Sequence, residues 1–361
     1  MPQPLAGLLV LDFTTLLPGP LATLMLAEAG AQVIKIERPG GDDMRRFPPL
    51  QDGQSTAFGL LNRGKSSLTL DLKSAEDRAQ LEPLLEKADV LVEQFRPGVM
   101  ERLGLGYAAV KARNPRLVYC SISGYGQSGP RAGEAGHDLN YIGQTGLLSL
   151  QAGLDAQPVI PPALIADIAG GSFPAVTNIL LALRQRDLTG EGCHLDIAMA
   201  DAMFTFAWHA LAYGFSTGHC PGSGELMLTG ASPRYQLYPT RDGRLVACAA
   251  IEEHFWQSFA DAVGLEAPYT NDQRDPQATR TEVARLIAAR TAVEWAPILQ
   301  KADCCATIVA TLDEALRDPH VVQRGLLAHR LALKAGEIPA LPVPISEQFR
   351  DKEPAAKPAP A

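Results

Sequence analysis

The fold class that the sequence predicts is α/β: an open, mostly parallel, doubly wound sheet in a large domain, followed by a smaller α+β domain. Two observations carry this. Up to the string "PRLVYCSISGYG", short apolar runs alternate with stretches of helical pattern, as strand–helix–strand crossovers require. Beyond about residue 165 the alternation stops, and long apolar helices give way to a hairpin signal and further helices.

Taken in order, "LLVLDFT" has the length and apolarity of a buried strand, and "GPLATLMLAEAGA" reads as a helix closed by glycine. "AQVIKIERP" is a second strand, stopped by Pro39 and two glycines, and "SSLTLDLKS" a third. "AEDRAQLEPLLEKA" is an amphipathic helix with Ser74 as its cap, followed by the strands in "DVLVEQF" and "PRLVYCSISGYG". Ligands of such sheets bind at the carboxyl ends of the strands, where Arg38, Lys73 and Arg96 fall. "GGSFPAVTNILLALRQRD" and "MADAMFTFAWHALAYGF" read as long helices suited to a domain connection or an oligomer interface. A hairpin is expected around "RDG", and the Pro/Ala-rich tail is expected to fray or lie on the surface. The expected division is a large domain over 1–186 completed by 331–361, a helical linker over 187–224 and a small domain over 225–330.

Composition narrows the function. The chain has 361 residues, 46 % of them hydrophobic and 20 % charged, with a formal net charge of −8. No stretch concentrates Lys and Arg, which argues against a nucleic-acid binder but leaves room for a small anionic ligand met by a few arginines. The first residues lack the basic start and cleavage site of a secretory signal, and no apolar window is read as long enough to cross a bilayer. Six cysteines, at 120, 193, 220, 248, 304 and 305, form no CxxC pair, so reduced thiols in a cytoplasmic protein are expected, without a metal site.

Single motifs decide little. "RLGLGYAA" contains a G-x-G-x-x-A string, but the residues before it read as helix rather than strand, so a helix-ending turn fits better than a dinucleotide loop. "GYGQSGP" lacks the Lys-Ser/Thr pair of an ATPase phosphate loop. Asp167, in "LIADIAGGSF", is either a helix cap or a functional carboxylate, and Glu252, in "AAIEEHFW", either a solvated acid at a helix start or a site residue. His137, in "AGHDLNYIGQTG", is either a hydrogen-bonded structural histidine or a base.

Together, five blocks in order give these residues a context: "LPGPLATLMLAEAGAQVIKIERPGGD", "NRGKSSLTLDLKS", "VLVEQFRPGVMERLGLGY", "RLVYCSISGYGQSGP" and "GEGCHLDIAMADAM". The chain resembles, over essentially its whole length, the family III CoA transferases (CaiB/BaiF family) and the α-methylacyl-CoA racemases among them. The region from "GASPRYQLYPTRDGR" onward matches less clearly. The resemblance implies a Rossmann-like large domain, a small domain and an interlocked homodimer, with sites formed by the large domain of one chain and the small domain of the other. Within the family, the racemases carry G-H-D-x-N-Y, here "GHDLNY" from Gly136 to Tyr141, with the aspartate of "DIAGGS" and the glutamate of an A-I-E string. It therefore implies His137, Asp167 and Glu252 as the catalytic residues.

The chemistry implied is removal and return of the proton next to a thioester carbonyl through an enolate. Two groups on opposite faces suit it: His137 and Asp167, with Glu252 orienting His137. The Asp138 backbone N–H is the candidate donor to the enolate oxygen. The transferase branch would instead use Asp167 as a nucleophile toward acyl-CoA, with CoA passing between carboxylic acids. CoA and acyl contacts are implied at Arg38, at Leu70, Asp71, Leu72 and Lys73, at Gln94, Phe95, Arg96 and Arg102, and at Gly136, Asp138, Leu139, Asn140 and Tyr141. No cofactor beyond the CoA of the substrate is implied.

Overall fold

The computed structural model describes residues 3–151, 157–351 and 356–361. The chain divides into two compact units, one of Met1–Thr145, Pro161–Phe206 and Arg324–Ala361, the other of Gly146–Ile160 and Ala207–Gln323.

The first unit opens with β1 (Leu9–Phe13), α1 (Pro18–Glu28) and β2 (Gln32–Glu37). It continues through β3 (Ser66–Thr69), α2 (Ala75–Lys87), β4 (Val90–Glu93), α3 (Val99–Arg102), α4 (Tyr107–Arg113) and β5 (Val118–Ser123). Then come α5 (Asp138–Gln144), a π-helical turn over Ala166–Ser172, α6 (Phe173–Thr189), β6 (His194–Ala198) and α7 (Met199–Phe206). The six strands form one parallel sheet in the order β3-β2-β1-β4-β5-β6. Its order reverses between β1 and β4, and that switch point is where open α/β sheets leave a crevice at the strands' carboxyl ends. Leu11, Leu91 and Val92 are fully buried, because helices cover both faces of a parallel sheet. α1 starts on Pro18, whose missing N–H costs nothing in a first turn, and it is buried over most of its circumference.

A polar knot fixes the end of β1. Asp12 is fully buried; its carboxylate accepts hydrogen bonds from the Thr14 amide and hydroxyl and the Thr23 hydroxyl, and pairs with Lys65 Nζ at 3.0 Å. Lys35, equally buried, donates to the Thr14 carbonyl and pairs with Asp42 at 3.0 Å. These bonds set the path of the turn that leads into α1.

The longer segment of the second unit opens with α8 (Trp208–Thr217), then the hairpin β7 (Tyr235–Pro239) and β8 (Leu245–Ala249), which turns where "RDG" predicts it. α9 (Glu253–Val263), α10 (Pro276–Ile287), α11 (Ala292–Ala302) and β9 (Ala306–Ile308) complete its core, with β9 antiparallel to β8. Trp256 and Trp295 are buried there, each donating its indole N–H to a carbonyl, of Thr270 and Ile287. The chain then returns to the first unit with β10 (Arg330–Leu333), β11 (Gly336–Pro339) and β12 (Lys357–Pro358).

Four expectations change. β3 stops at Thr69, and Leu70–Lys73 leaves the sheet in a turn: Asp71 accepts from the Lys73 amide with its side chain and from the Ser74 amide with its carbonyl. The segment expected as a helical linker supplies β6 and α7 to the first unit, because β6 pairs with β5. "MADAMFTFAWHALAYGF" is two helices, broken at Ala207. One stretch, Ala166–Thr189, is long and apolar enough to cross a membrane by length and composition, contrary to the sequence reading; Ala175, Ile179, Ala182 and Leu183 are buried, as in the core helix of a domain. The tail is tied down at its end: β12 pairs with β10, and Arg45 donates to the carbonyls of Pro360 and Ala361.

Candidate active site

A cavity of about 420 Å³ opens at the switch point of the sheet. Its first wall is the turn after β1, with Thr15, Leu16 and Pro18; its second is the segment after β4, Gln94 to Pro97. Gln94 Oε1 accepts from the Gly19 amide at 3.0 Å, joining the two walls. Gly19 is demanded by space, since a Cβ there would sit 2.3 Å from the Thr14 side chain. Leu16 holds φ at +61°, a left-handed conformation that costs a branched residue of order 1 kcal/mol or more and collects at functional sites.

The third wall is the string "GHDLNY". His137 is the N-cap residue of α5 and is exposed on the cavity. Asn140 Oδ1 accepts from the His137 amide at 3.0 Å, and the Asn140 amide donates back to the His137 carbonyl at 2.8 Å. This reciprocal pair fixes the backbone that carries the imidazole. Tyr141 donates its hydroxyl to the Gly136 carbonyl and meets Tyr125 edge-on, ring centroids 5.2 Å apart. A Cβ at Gly136 or Gly124 would stand 2.6 or 2.5 Å from the Tyr141 ring.

Asp167 reaches the same cavity from the π-helical turn. The wide turn exists because Gly170 and Gly171 let it press on its neighbours: a Cβ would fall 2.5 Å from the Met199 carbonyl oxygen at the first and 3.0 Å from Pro18 at the second. Its other anchor is Asp138, whose buried carboxylate accepts from the Asp167 amide at 3.0 Å. The Asp167 carboxyl is pushed up to about 6, by partial burial first and by the Asp138 charge second, with His137 pulling the other way. Burial likewise pushes the Tyr141 phenol up to about 12. So one cavity holds an imidazole and a carboxyl group that is partly protonated near neutrality, a pair able to take and give a proton.

Of the residues expected at the site, Gln94, Phe95, Arg96, Gly136, His137, Asn140, Tyr141 and Asp167 line this cavity together. Asp138 lies behind it, and Leu139 is exposed on α5. Arg38 lines a neighbouring crevice of about 240 Å³ that shares Thr15 and Phe95 with the cavity; its exposed guanidinium is engaged by both oxygens of Asp43, at 2.7 and 2.8 Å. Leu70 is buried, Leu72 half-buried, and Asp71 and Lys73 are exposed on their turn. Arg102 is exposed at the end of α3. Glu252 is in the second unit, the N-cap residue of α9, and its exposed carboxylate makes no capping bond. The sequence reading missed the wall of Thr15, Leu16 and Pro18, and Met199 at the start of α7. The "LPGP" helix start directly after the first strand could have signalled that wall. Among the described residues no group of three His, Cys, Asp or Glu side chains could hold a metal ion.

Comparisons with known proteins agree with this architecture. Over 328 residues the chain is 36% identical to human alpha-methylacyl-CoA racemase, covering 89% of this chain and 81% of the human protein. It is 34% identical to the acetyl-CoA:oxalate CoA-transferase of Acetobacter aceti over 355 residues, 95% of this chain and 89% of that one. The crystal structure of a CAIB/BAIF family protein from Brucella suis superposes with a TM-score of 0.84 at 29% identity, covering 100% of this chain and 97% of that one. With residues 5–361 matching the profile of the family, the chain belongs to CoA-transferase family III.

Proposed function

We propose that the protein epimerises 2-methylacyl-CoA thioesters, with His137 and Asp167 as the two acid–base groups. The observation that carries this reading is the shared cavity in which Asp167 stands beside His137 with its carboxyl held near 6. At that value roughly one Asp167 in ten is protonated at pH 7, against fewer than about one in a thousand for an ordinary aspartate. A neutral imidazole at His137 takes the C2 proton, and the C–H electron pair moves into the C2–C1 bond while the carbonyl oxygen becomes the enolate oxygen. Protonated Asp167 then delivers its proton to the other face of C2. From the opposite epimer the roles exchange: ionised Asp167 takes the proton and the imidazolium of His137 returns one. The Asp138 backbone N–H is the proposed donor to the enolate oxygen.

CoA is proposed to lie along Arg38, Arg96 and Arg102 and the Leu70–Lys73 turn, with the acyl part against Gly136–Tyr141. Arginine suits its phosphates because the guanidinium can donate two bonds at once. Glu252 is the proposed third group, orienting His137 in a homodimer. Phe173, Leu180, Leu181 and Leu188 leave an apolar strip exposed on α6, which supports association with a second copy.

The second reading keeps Asp167 as a nucleophile. Its carboxylate would attack the thioester carbonyl and expel the CoA thiolate, giving a mixed anhydride that CoA reopens on the way to a new acid. The similar identity to a CoA-transferase supports it. His137 then has no chemical duty, and a carboxyl raised to about 6 is a poorer nucleophile supply at low pH. The deciding experiment offers the (2R) and (2S) epimers of a 2-methylacyl-CoA separately in D2O without any second acid. Deuterium entering C2 from both, with loss of optical purity, is expected; no uptake together with CoA transfer on adding free acids would replace the first reading by the second.

A further inference from the structure

Glu93, the last residue of β4, is a buried acid that neither reading uses. Three other buried acids of this unit meet cations: Asp12 pairs with Lys65, Glu28 with Arg63 and Glu37 with Arg45. Glu93 meets a backbone amide instead. Its Oε2 accepts from the Phe95 amide at 2.8 Å, and Ser121 is its register partner on β5. Ser121 Oγ lies 2.9 Å from His194 Nε2 on β6. The imidazole is held in turn by Tyr107, stacked at 5.1 Å, and Tyr119, edge-on at 5.3 Å. Glu93, Ser121 and His194 thus stand in a row across β4, β5 and β6, from the exposed imidazole to the residue that precedes the Gln94–Pro97 wall.

We infer that Glu93 is a positioning residue: through the Phe95 amide it sets the path of Gln94–Arg96, and Ser121 and His194 keep it satisfied whether or not it carries a proton. When Glu93 is ionised, Ser121 donates to it and His194 Nε2–H donates to Ser121. When it is protonated, its O–H donates to Ser121, which donates to an unprotonated His194 Nε2. One oxygen faces the Phe95 amide in both arrangements, so the wall keeps its anchor. The titratable groups within electrostatic reach of Glu93 are Glu101 from α3, Asp196 from β6, and Tyr119 and Cys120 from β5, with His194 of β6 beyond Ser121. Burial, and more weakly Glu101 and Asp196, push Glu93 up to about 7, so both arrangements are populated near neutrality.

The inference rests on the proposed CoA contacts of Gln94–Arg96 only for its effect on binding, and the test separates the two. Amide hydrogen exchange over residues 94–96 is measured without ligand for wild type, Glu93→Leu and Glu93→Gln, and CoA affinity is measured by titration calorimetry for all three. Loss of the acceptor in Glu93→Leu should speed exchange there roughly tenfold and weaken CoA binding by a similar factor. Glu93→Gln, which keeps an acceptor for Phe95 and a donor for Ser121, should restore both to within about twofold. A merely structural role would lower the melting temperature without this rescue pattern. Should the leucine variant fail to fold, Ser121→Val puts the same question by removing the relay, with exchange over 94–96 expected to rise about threefold. Unchanged exchange in the leucine or valine variant overturns the inference. Wild type that binds no CoA overturns the CoA reading of the wall while the exchange comparison still decides the role of Glu93.

Discussion

Asp12 and Asp167 belong to the same unit, and their proton affinities diverge. Asp12 is the more deeply buried, which by itself would favour the neutral acid, yet Lys65 and Lys35 with the Thr14 and Thr23 donors hold it well below the usual carboxylate range. Asp167 is only partly buried, has another carboxylate as its neighbour, and rises. Burial therefore sets the size of the stakes, and the partners set the direction. The acid with cations around it is a scaffold element that shapes the turn after β1. The acid beside Asp138 and His137 is left able to change its proton.

The sharpest way to break the contrast is to remove the scaffold acid. Asp12→Ala leaves Lys65 buried without its counter-charge and should cost about 3–5 kcal/mol in urea unfolding. The sign with pH follows from the depressed value: in wild type the contribution of Asp12 is in place above the ordinary aspartate range and is lost as pH falls through the folded value. His137→Ala should instead leave unfolding and CoA affinity close to wild type while C2 proton exchange falls by about two to four orders of magnitude. Exchange at the wild-type rate would sink the two-group assignment.

Asp167→Asn sharpens the comparison with the opposite sign. Because the folded value is raised, wild type loses stability as pH climbs from the ordinary aspartate value of 3.8 to about 6, and it stays at that lower level above. The asparagine variant escapes this cost, so it should be the more stable at pH 8 by about 1 kcal/mol, allowing for water at a partly open group, with the difference shrinking as pH falls from about 6 to 3.8. Each direction uses the His137–Asp167 pair carrying one proton, so kcat/KM for the two epimers should follow the same pH profile, with a limb near pH 6 where Asp167 titrates, and profiles that differ between the epimers would break the two-group assignment. The smallest effect is that of Asp138→Asn, which keeps an acceptor for the Asp167 amide and removes the neighbouring charge. The limb near pH 6 should move to lower pH, and a limb that stays in place would mean that burial alone raises Asp167.

Much of this architecture is legible in the chain. Strands buried on both faces read as unbroken apolar runs, so β1, β4 and β5 stand out, and Ser74 and Gly30 mark helix ends. "LDLK" looks like strand because Leu70 and Leu72 alternate with polar residues, but Asp71 spends its side chain on a turn. The π-helical turn has no local signature; it is made by Gly170 and Gly171 meeting Met199 and Pro18, contacts that exist only in the folded chain. The site divides in the same way. "GHDLNY" carries its own local geometry in Asn140 and Tyr141, whereas the bond that brings Asp167 to it spans 29 residues and no spacing rule reveals it. The resemblance to a family supplied that pairing, and the positions of Leu16 and Glu93 had no counterpart in it.

The bond from the Gly19 amide to Gln94 has a thermodynamic consequence. It staples the two loops of the switch point to each other across the cavity, one of them already held by the Asp12 knot and the other by Glu93. The entropy of ordering those loops is lost when the chain folds, and none of it falls on the ligand. A ligand entering this cavity meets walls already tied in place. Cutting the staple with Gln94→Ala should therefore make association more exothermic and entropically less favourable, since loop ordering would then accompany binding.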